Sequence, residues 1–246
     1  MQEVVLEDLG LIDYRTAWDY QEVLLQKNLQ AKAAVRILEP AGDGTNLPAP
    51  HTEHHLLLLE HPPVYTLGKS GREEHILISP GRMEQEGIHY FKTNRGGDIT
   101  FHGPGQLVGY PLLDLEKFYT DIGKYLRNLE EVIIRTLAVY GLRGDRSPGE
   151  TGVWLDPDVK GRERKICAMG VRCSRWVTMH GFAFNINTDL VYFDNIVPCG
   201  IRNKGVTSLQ KELGYPVPMS EVKEHVKQAF EGVFDVCLRV DQVVEK

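Results

Sequence analysis

The chain lacks any apolar run near the length that a membrane-spanning helix needs. Its first residues, MQEVVLEDLG, carry acid instead of the basic and apolar stretch of a secretory signal, so a cytoplasmic protein is expected. Cysteine is scarce: four in 246 residues, at 167, 173, 199 and 237, with no pair at CxxC spacing. That speaks against a disulfide framework and against zinc. Positive charge is not in excess; a net charge of −6 argues against general nucleic-acid binding. Neither GxxxxGKS/T nor GxGxxG occurs, so the common glycine-rich phosphate loops are missing. There is no internal repeat, no low-complexity tract and no linker long enough to separate domains.

What remains is an ordinary globular composition, 42% hydrophobic and 25% charged. Residues 13–32 place Tyr14, Ala17, Trp18, Leu24 and Leu25 on one helical face. AVRIL (34–38) suggests a short strand, and 40–54 a loop rich in proline and glycine. The run LLLLE (56–60) does not alternate, as expected of a strand buried on both faces. Residues 117–140 form the longest helix candidate, with Ile122, Leu126, Leu129, Ile133 and Leu137 in register and Gly141 as its stop. Strands are expected at 152–155, 165–173 and 180–187. A compact helix at 207–214 pairs Thr207 with Gln210 as a capping box, and a last helix after Ser220 turns Val222, Val226, Ala229 and Phe230 inward. The mixed order predicts a single α+β domain over 1–246, built on a mostly antiparallel mixed sheet flanked by helices.

Two stretches are chemically unusual. RGGDITFHGPG (95–105) spends its glycines beside an arginine and a histidine with no helix following, which suits close approach of backbone to a long, thin ligand. Its alternation sets Ile99 and Phe101 against Thr100 and His102; a bulged hairpin is the plainer reading. Further on, Pro198 and Gly200 hold Cys199 on a turn after an apolar run, unlike Cys167, Cys173 and Cys237, whose strand patterns fit buried, inert thiols. A nucleophilic thiol needs a nearby cation or histidine. Lys165, at the start of KICAMGV, is one candidate; His102 and His180 are rivals. Small residues in AMG (168–170) and GFA (181–183) leave room for an alkyl chain. His51, His54, His55 and His61 lie around a loop without helical spacing, and no metal is expected. The basic run KGRERK (160–165) leads into Lys165 and offers a place for an anionic partner.

Taken together, HPPVYTLG (61–68), RGGDITFHGPGQLVGYP (95–111), KICAMGVR (165–172), HGFAFNIN (180–187) and PCGI (198–201) resemble the octanoyltransferases of lipoate biosynthesis. The resemblance implies the fold of biotin and lipoate–protein ligases. It implies transfer of octanoyl from acyl carrier protein to a lysine on lipoyl domains of 2-oxoacid dehydrogenase complexes and of the glycine cleavage H protein. No cofactor and a monomer are expected. It assigns Cys199 as thioester nucleophile and Lys165 as the group that activates it. It makes Arg95, Gly96, Gly97, Asp98, Ile99, Thr100, Phe101, His102, Ala168, Met169, Gly170, Gly181, Phe182 and Ala183 substrate-binding. About seven buried carbons of an octanoyl chain at roughly 0.8 kcal/mol each would contribute on the order of 5 kcal/mol. Alternatives are an ATP-dependent lipoate–protein ligase, a lipoyl-domain amidotransferase, and a non-catalytic carrier-binding protein.

Overall fold

The leucine run sits near the middle of the main sheet. In the computed structural model, which describes residues 1–37, 51–197 and 204–240, it forms strand β2 (His55–Glu60). Leu56 and Leu58 face one core with helices α3 (Ile122–Val139) and α5 (Met219–Phe234). Leu57 and Leu59 face a second core under helix α1 (Tyr14–Ile37). A strand covered on both sides has no polar face to alternate with, which is why the run reads LLLL. Removing such a side chain from water contributes about 1.5–3 kcal/mol.

The remaining strands are β1 (Gln2–Leu11), β3 (Val64–Leu67), β4 (His89–Lys92), β5 (Ile99–His102), β6 (Gln106–Leu112), β7 (Val153–Leu155), β8 (Arg164–Ser174), β9 (Val177–Asn185), β10 (Gly205–Val206) and β11 (Val236–Val240). The large sheet runs β10–β8–β9–β6–β2–β1–β11, with β7 also paired to β8. Four of its pairings are antiparallel (β2–β6, β6–β9, β7–β8, β8–β9) and three parallel (β1–β2, β1–β11, β8–β10). A second sheet, β4–β3–β5, has its own core around Tyr65, Phe101 and Ile78 and carries the RGG loop between β4 and β5. The short helices α2 (Pro80–Gln85) and α4 (Leu209–Leu213) complete the elements.

Several boundaries differ from those read in the sequence. The expected strand at 34–38 is helical through Ile37, and Leu38 lies outside the described residues. Ala31, Ala33 and Ala34 favour the helix more than Val35 and Ile37 oppose it. Lys32 then fixes it, pairing with buried Asp114 at 2.6 Å and bonding the Arg175 carbonyl at 2.9 Å. That makes α1, at 24 residues, longer than α3, at 18. Helix α3 starts late because Asp121 caps it, its side chain accepting from the Lys124 N–H, and residues 115–117 form a separate 3-10 turn. In α4 the cap is Ser208, not Thr207, whose hydroxyl instead donates to Glu212 at 2.5 Å. Of the cysteines read as buried, Cys167 is, Cys173 is half-buried and Cys237 is exposed, because β11 is an edge strand. Most of the 40–54 loop lies outside the described residues; 51–54 carry no regular structure. Among the described residues no helix is long and apolar enough to cross a membrane.

Candidate active site

Strands β8 and β9 pair with Ala168 opposite Ala183 and Gly170 opposite Gly181, so two small pairs fall on one face of the sheet. The RGG loop packs there: the Gly96 N–H donates to the Val171 carbonyl at 2.9 Å. A Cβ on Gly170 would stand 2.6 Å from the Gly96 oxygen, and one on Gly181 would stand 2.2 Å from the Gly109 oxygen in the neighbouring strand. These glycines therefore permit close backbone-to-backbone packing as well as leaving space on the face of the sheet. Buried Arg95 folds the loop, donating to the carbonyls of Thr66 at 2.5 Å, Asp98 at 2.8 Å and Gly96 at 3.0 Å.

Between the loop and the sheet lies a cavity of about 590 Å³, within the usual range for small-molecule sites. Lys165, Arg95, Gly96, Gly97, Asp98, Ile99, Thr100, His102, Ala168, Met169, Gly170, Gly181, Phe182 and Ala183 all contribute to its wall. Phe101 does not. It is fully buried in the small-sheet core, stacked on Tyr192 at 4.5 Å, as the alternation with Ile99 requires. Ile122 and Leu126 of α3, with Val171, Phe193 and Val206, extend the apolar wall.

The histidines around this cavity are held neutral. His102 Nδ1 lies 2.8 Å from Gln106 Oε1 and its Nε2 3.3 Å from the Thr66 hydroxyl. Gln106 spends its amide on the Phe101 carbonyl and on Asn185, which leaves Oε1 to accept and assigns the Nδ1 proton to His102. His180 Nε2 meets Asn94 Oδ1 at 2.8 Å, and its backbone, at φ +58°, donates to Gln21. Burial lowers His180 to about 3, His61 and His54 to about 4, and His102 well below the ordinary value. Neither rival base is thus a solvated imidazole awaiting a proton. The sign of the pH effect follows. Between those values and 6.5 the unfolded chain binds protons that the folded chain refuses, so stability falls as pH drops through this window. Each histidine costs about 1.4 kcal/mol per pH unit there. The expected result is a thermal midpoint level above about pH 7 that falls steeply from about pH 6 to 4.5. A midpoint constant over that range would show that these rings accept protons while folded.

Lys165, near the start of β8, lines the cavity. Its ammonium donates to the Thr151 carbonyl at 3.2 Å and lies 4.6 Å from the centre of the Trp154 ring. Lys204 lies over the same ring at 4.8 Å and reaches Glu150 at 2.6 Å and Ser147 at 3.2 Å. Within the basic run, Arg164 is fully engaged, its guanidinium bidentate on Glu212 at 2.7 Å and bonded to Asp156 at 2.7 Å. Arg162 pairs with Asp156 at 3.2 Å and is 69% exposed, and Lys160 is exposed. Cys199 lies outside the described residues. Burial pushes the Cys167 and Cys173 thiols up, away from thiolate character at neutral pH.

Tyr14, Gln106, Tyr110, Glu150 and Thr151 also line the cavity, and sequence reasoning did not single them out. Gln106, Tyr110 and Asn185 stood inside the quoted motif blocks, so the signal was present. Tyr14 was legible only as a helix-face residue. Glu150, Trp154 and Lys204 gave no local sign, since what joins them is a fold contact between distant loops.

A family model described as the lipoyl protein ligase A/B catalytic domain matches residues 13–231. The chain is 53% identical over 239 residues to an octanoyltransferase of Christiangramia forsetii, covering 97% of this chain and 98% of the relative. It is 55% identical over 235 residues to an octanoyltransferase of Flavobacterium johnsoniae, covering 95% and 97%. Among solved structures it is similar to a bi-partite lipoate protein ligase of Thermoplasma acidophilum, at TM-score 0.66 and 18% identity over 100% of this chain and 88% of that one. A lipoate-protein ligase A bound with ATP gives TM-score 0.66 at 15% identity, over 100% and 90%. At such identities the two structures speak for the fold.

Proposed function

Because the chain belongs to the octanoyltransferase family and has the lipoyl protein ligase A/B catalytic domain, it is an acyltransferase of protein lipoylation, and we propose that it works through a thioester on Cys199. One observation carries the reading: a largely apolar cavity of about 590 Å³ has Lys165 in its wall. The chain supports it further. Phe193 is in the cavity wall, Val197 bonds the His75 carbonyl at 2.8 Å, and Cys199 follows two residues later. On the far side of Cys199, Val206 is again in the wall.

In the first step the Cys199 thiolate attacks the octanoyl thioester of the donor, read here as acyl carrier protein. The donor's thiol leaves, and one thioester replaces another at little net cost. The ammonium of Lys165 stabilises the thiolate before attack. In the second step an acceptor lysine amine on a lipoyl domain attacks the Cys199 thioester. The C–S bond breaks, an amide forms and the thiol is regenerated. Amide formation from a thioester is downhill, so no nucleotide is required. Lys160 and Arg162 are the exposed cations that would meet an acidic carrier; Arg164 is already committed to Glu212 and Asp156. The reaction is read as cytoplasmic and the protein as a monomer.

The test is transfer without nucleotide. Purified protein, an octanoyl-carrier thioester and a lipoyl domain should yield N-octanoyl-lysine at the same rate with and without ATP. An absolute need for ATP would remove this reading and favour a ligase on the same fold.

A further inference from the structure

The acceptor in this reaction is a lysine side chain, which arrives as an ammonium. It must come to a part of the cavity that already holds Lys165 and, just outside it, Lys204. Two like charges oppose its approach unless a carboxylate answers them. Among the described residues, the cavity wall contains two carboxylates, Asp98 and Glu150. Asp98 is committed on both oxygens: Oδ2 meets His75 Nδ1 at 2.6 Å, and Oδ1 accepts from the N–H groups of Ile99 at 2.7 Å and Arg72 at 3.3 Å.

Glu150 is different. Its Oε1 accepts from Lys204 at 2.6 Å, while Oε2 is shielded from solvent and has no hydrogen-bond partner among the described residues. An ionised oxygen in that condition gives up an interaction it would have in water, and such orphaned groups in native structures ask for a reason. Position supplies one. Glu150 is the residue before Thr151, whose carbonyl holds the Lys165 ammonium at 3.2 Å. A donor seated at Glu150 is thereby brought beside Lys165, where the acyl carbonyl has to react. The preceding residue, Gly149, is exposed and lies at φ +77°.

We propose that Glu150 is the docking carboxylate for the acceptor lysine: Oε2 receives the incoming amine and holds it beside Lys165, while Lys204 on Oε1 fixes the carboxylate in place. The chemistry of the step is unchanged. The docked ammonium first gives one proton to water; the amine nitrogen then bonds to acyl carbon, the C–S bond breaks, and the second proton passes through Lys165 to the departing thiolate. Glu150 acts on an acceptor that arrives charged and should be indifferent to one that arrives neutral. The inference rests on the octanoyl-transfer reading above, and it names a specificity determinant within it.

The experiment compares two nucleophiles in steady-state transfer from an octanoyl-carrier thioester: a lipoyl domain, which offers lysine, and hydroxylamine, which is neutral at about pH 7. Glu150→Gln should lower transfer to the lipoyl domain by about tenfold to a hundredfold, chiefly through its KM, and leave transfer to hydroxylamine close to wild type. Lys204→Gln, which removes the partner but keeps the carboxylate, should retain the wild-type preference for lysine. An equal loss of both nucleophiles in Glu150→Gln and Lys204→Gln alike would make the ion pair merely structural and overturn the proposal. So would an unchanged lysine-to-hydroxylamine ratio in Glu150→Gln. If instead the wild-type protein transfers to both nucleophiles without ever forming an acyl-protein, the thioester reading fails, and the ratio still decides the role of Glu150.

Discussion

Cys199→Ala is expected to abolish transfer, with the rate to a lipoyl domain falling by about three orders of magnitude or more while the thermal midpoint stays near wild type. The change removes one sulfur atom, so the loss would be chemical. Without the thiol, the acceptor amine must attack the donor thioester directly. That requires two macromolecules, donor and acceptor, to be held against one cavity at the same moment. The covalent intermediate separates their visits, which is where most of the advantage lies. Cys237→Ser makes the internal comparison: the residue is exposed on an edge strand, and its loss should leave the rate unchanged. Substantial activity in Cys199→Ala, or a comparable loss in Cys237→Ser, would end the assignment.

Lys165→Arg and Lys165→Ala are expected to separate the two steps. Lys165 lies against the Trp154 ring and the Thr151 carbonyl, a site that also suits a guanidinium, which stacks on aromatic faces and donates to carbonyls. A permanent positive charge is enough to favour the thiolate, so Lys165→Arg should form the acyl-enzyme at a rate within about tenfold of wild type. Once acylated, the sulfur carries no negative charge to hold the cation, and a neutral Lys165 can take the proton from the acceptor amine. Arginine cannot do this. Discharge of Lys165→Arg should therefore slow by about a hundredfold or more, and Lys165→Ala should be slow in both steps. Single-turnover rates decide it. Discharge of Lys165→Arg at the wild-type rate would mean that Lys165 does not accept the proton. His102 and His180 are poor substitutes, because burial keeps both from charging.

The chemistry of this chain was more legible than its topology. Cys199 stood out because Pro198 and Gly200 surround it, and Lys165 because it opens an apolar strand. Phe101, which the resemblance makes substrate-binding, lies with Ile99 in the small-sheet core and outside the cavity wall. Its burial is what the alternation of the strand gives. Parallel pairing of β1 with β2 and β11 left no local trace, since it joins residues 5–11 to 55–60 and residues 2–6 to 236–240, and turn signals report only neighbours. The same limit hid Glu150 and Lys204, which meet only after β10 is laid beside β8. Arg164 shows the opposite error. The basic run was read as a place for an anionic partner, but its Arg164 guanidinium is bound to Glu212 of α4. Local patterning sees helices, buried strands and reactive turns; it does not see which loops the sheet order brings face to face.

The most direct test of the account is the intact mass of the protein after mixing with octanoyl-acyl carrier protein in the absence of acceptor. The account predicts one added octanoyl group, released by hydroxylamine as a thioester should be, and mapped by peptide analysis to Cys199. It predicts none on Cys167, whose thiol is buried and pushed up, and none at all in Cys199→Ala. Active protein that never gains the octanoyl mass, or gains it equally in Cys199→Ala, would contradict the covalent mechanism outright.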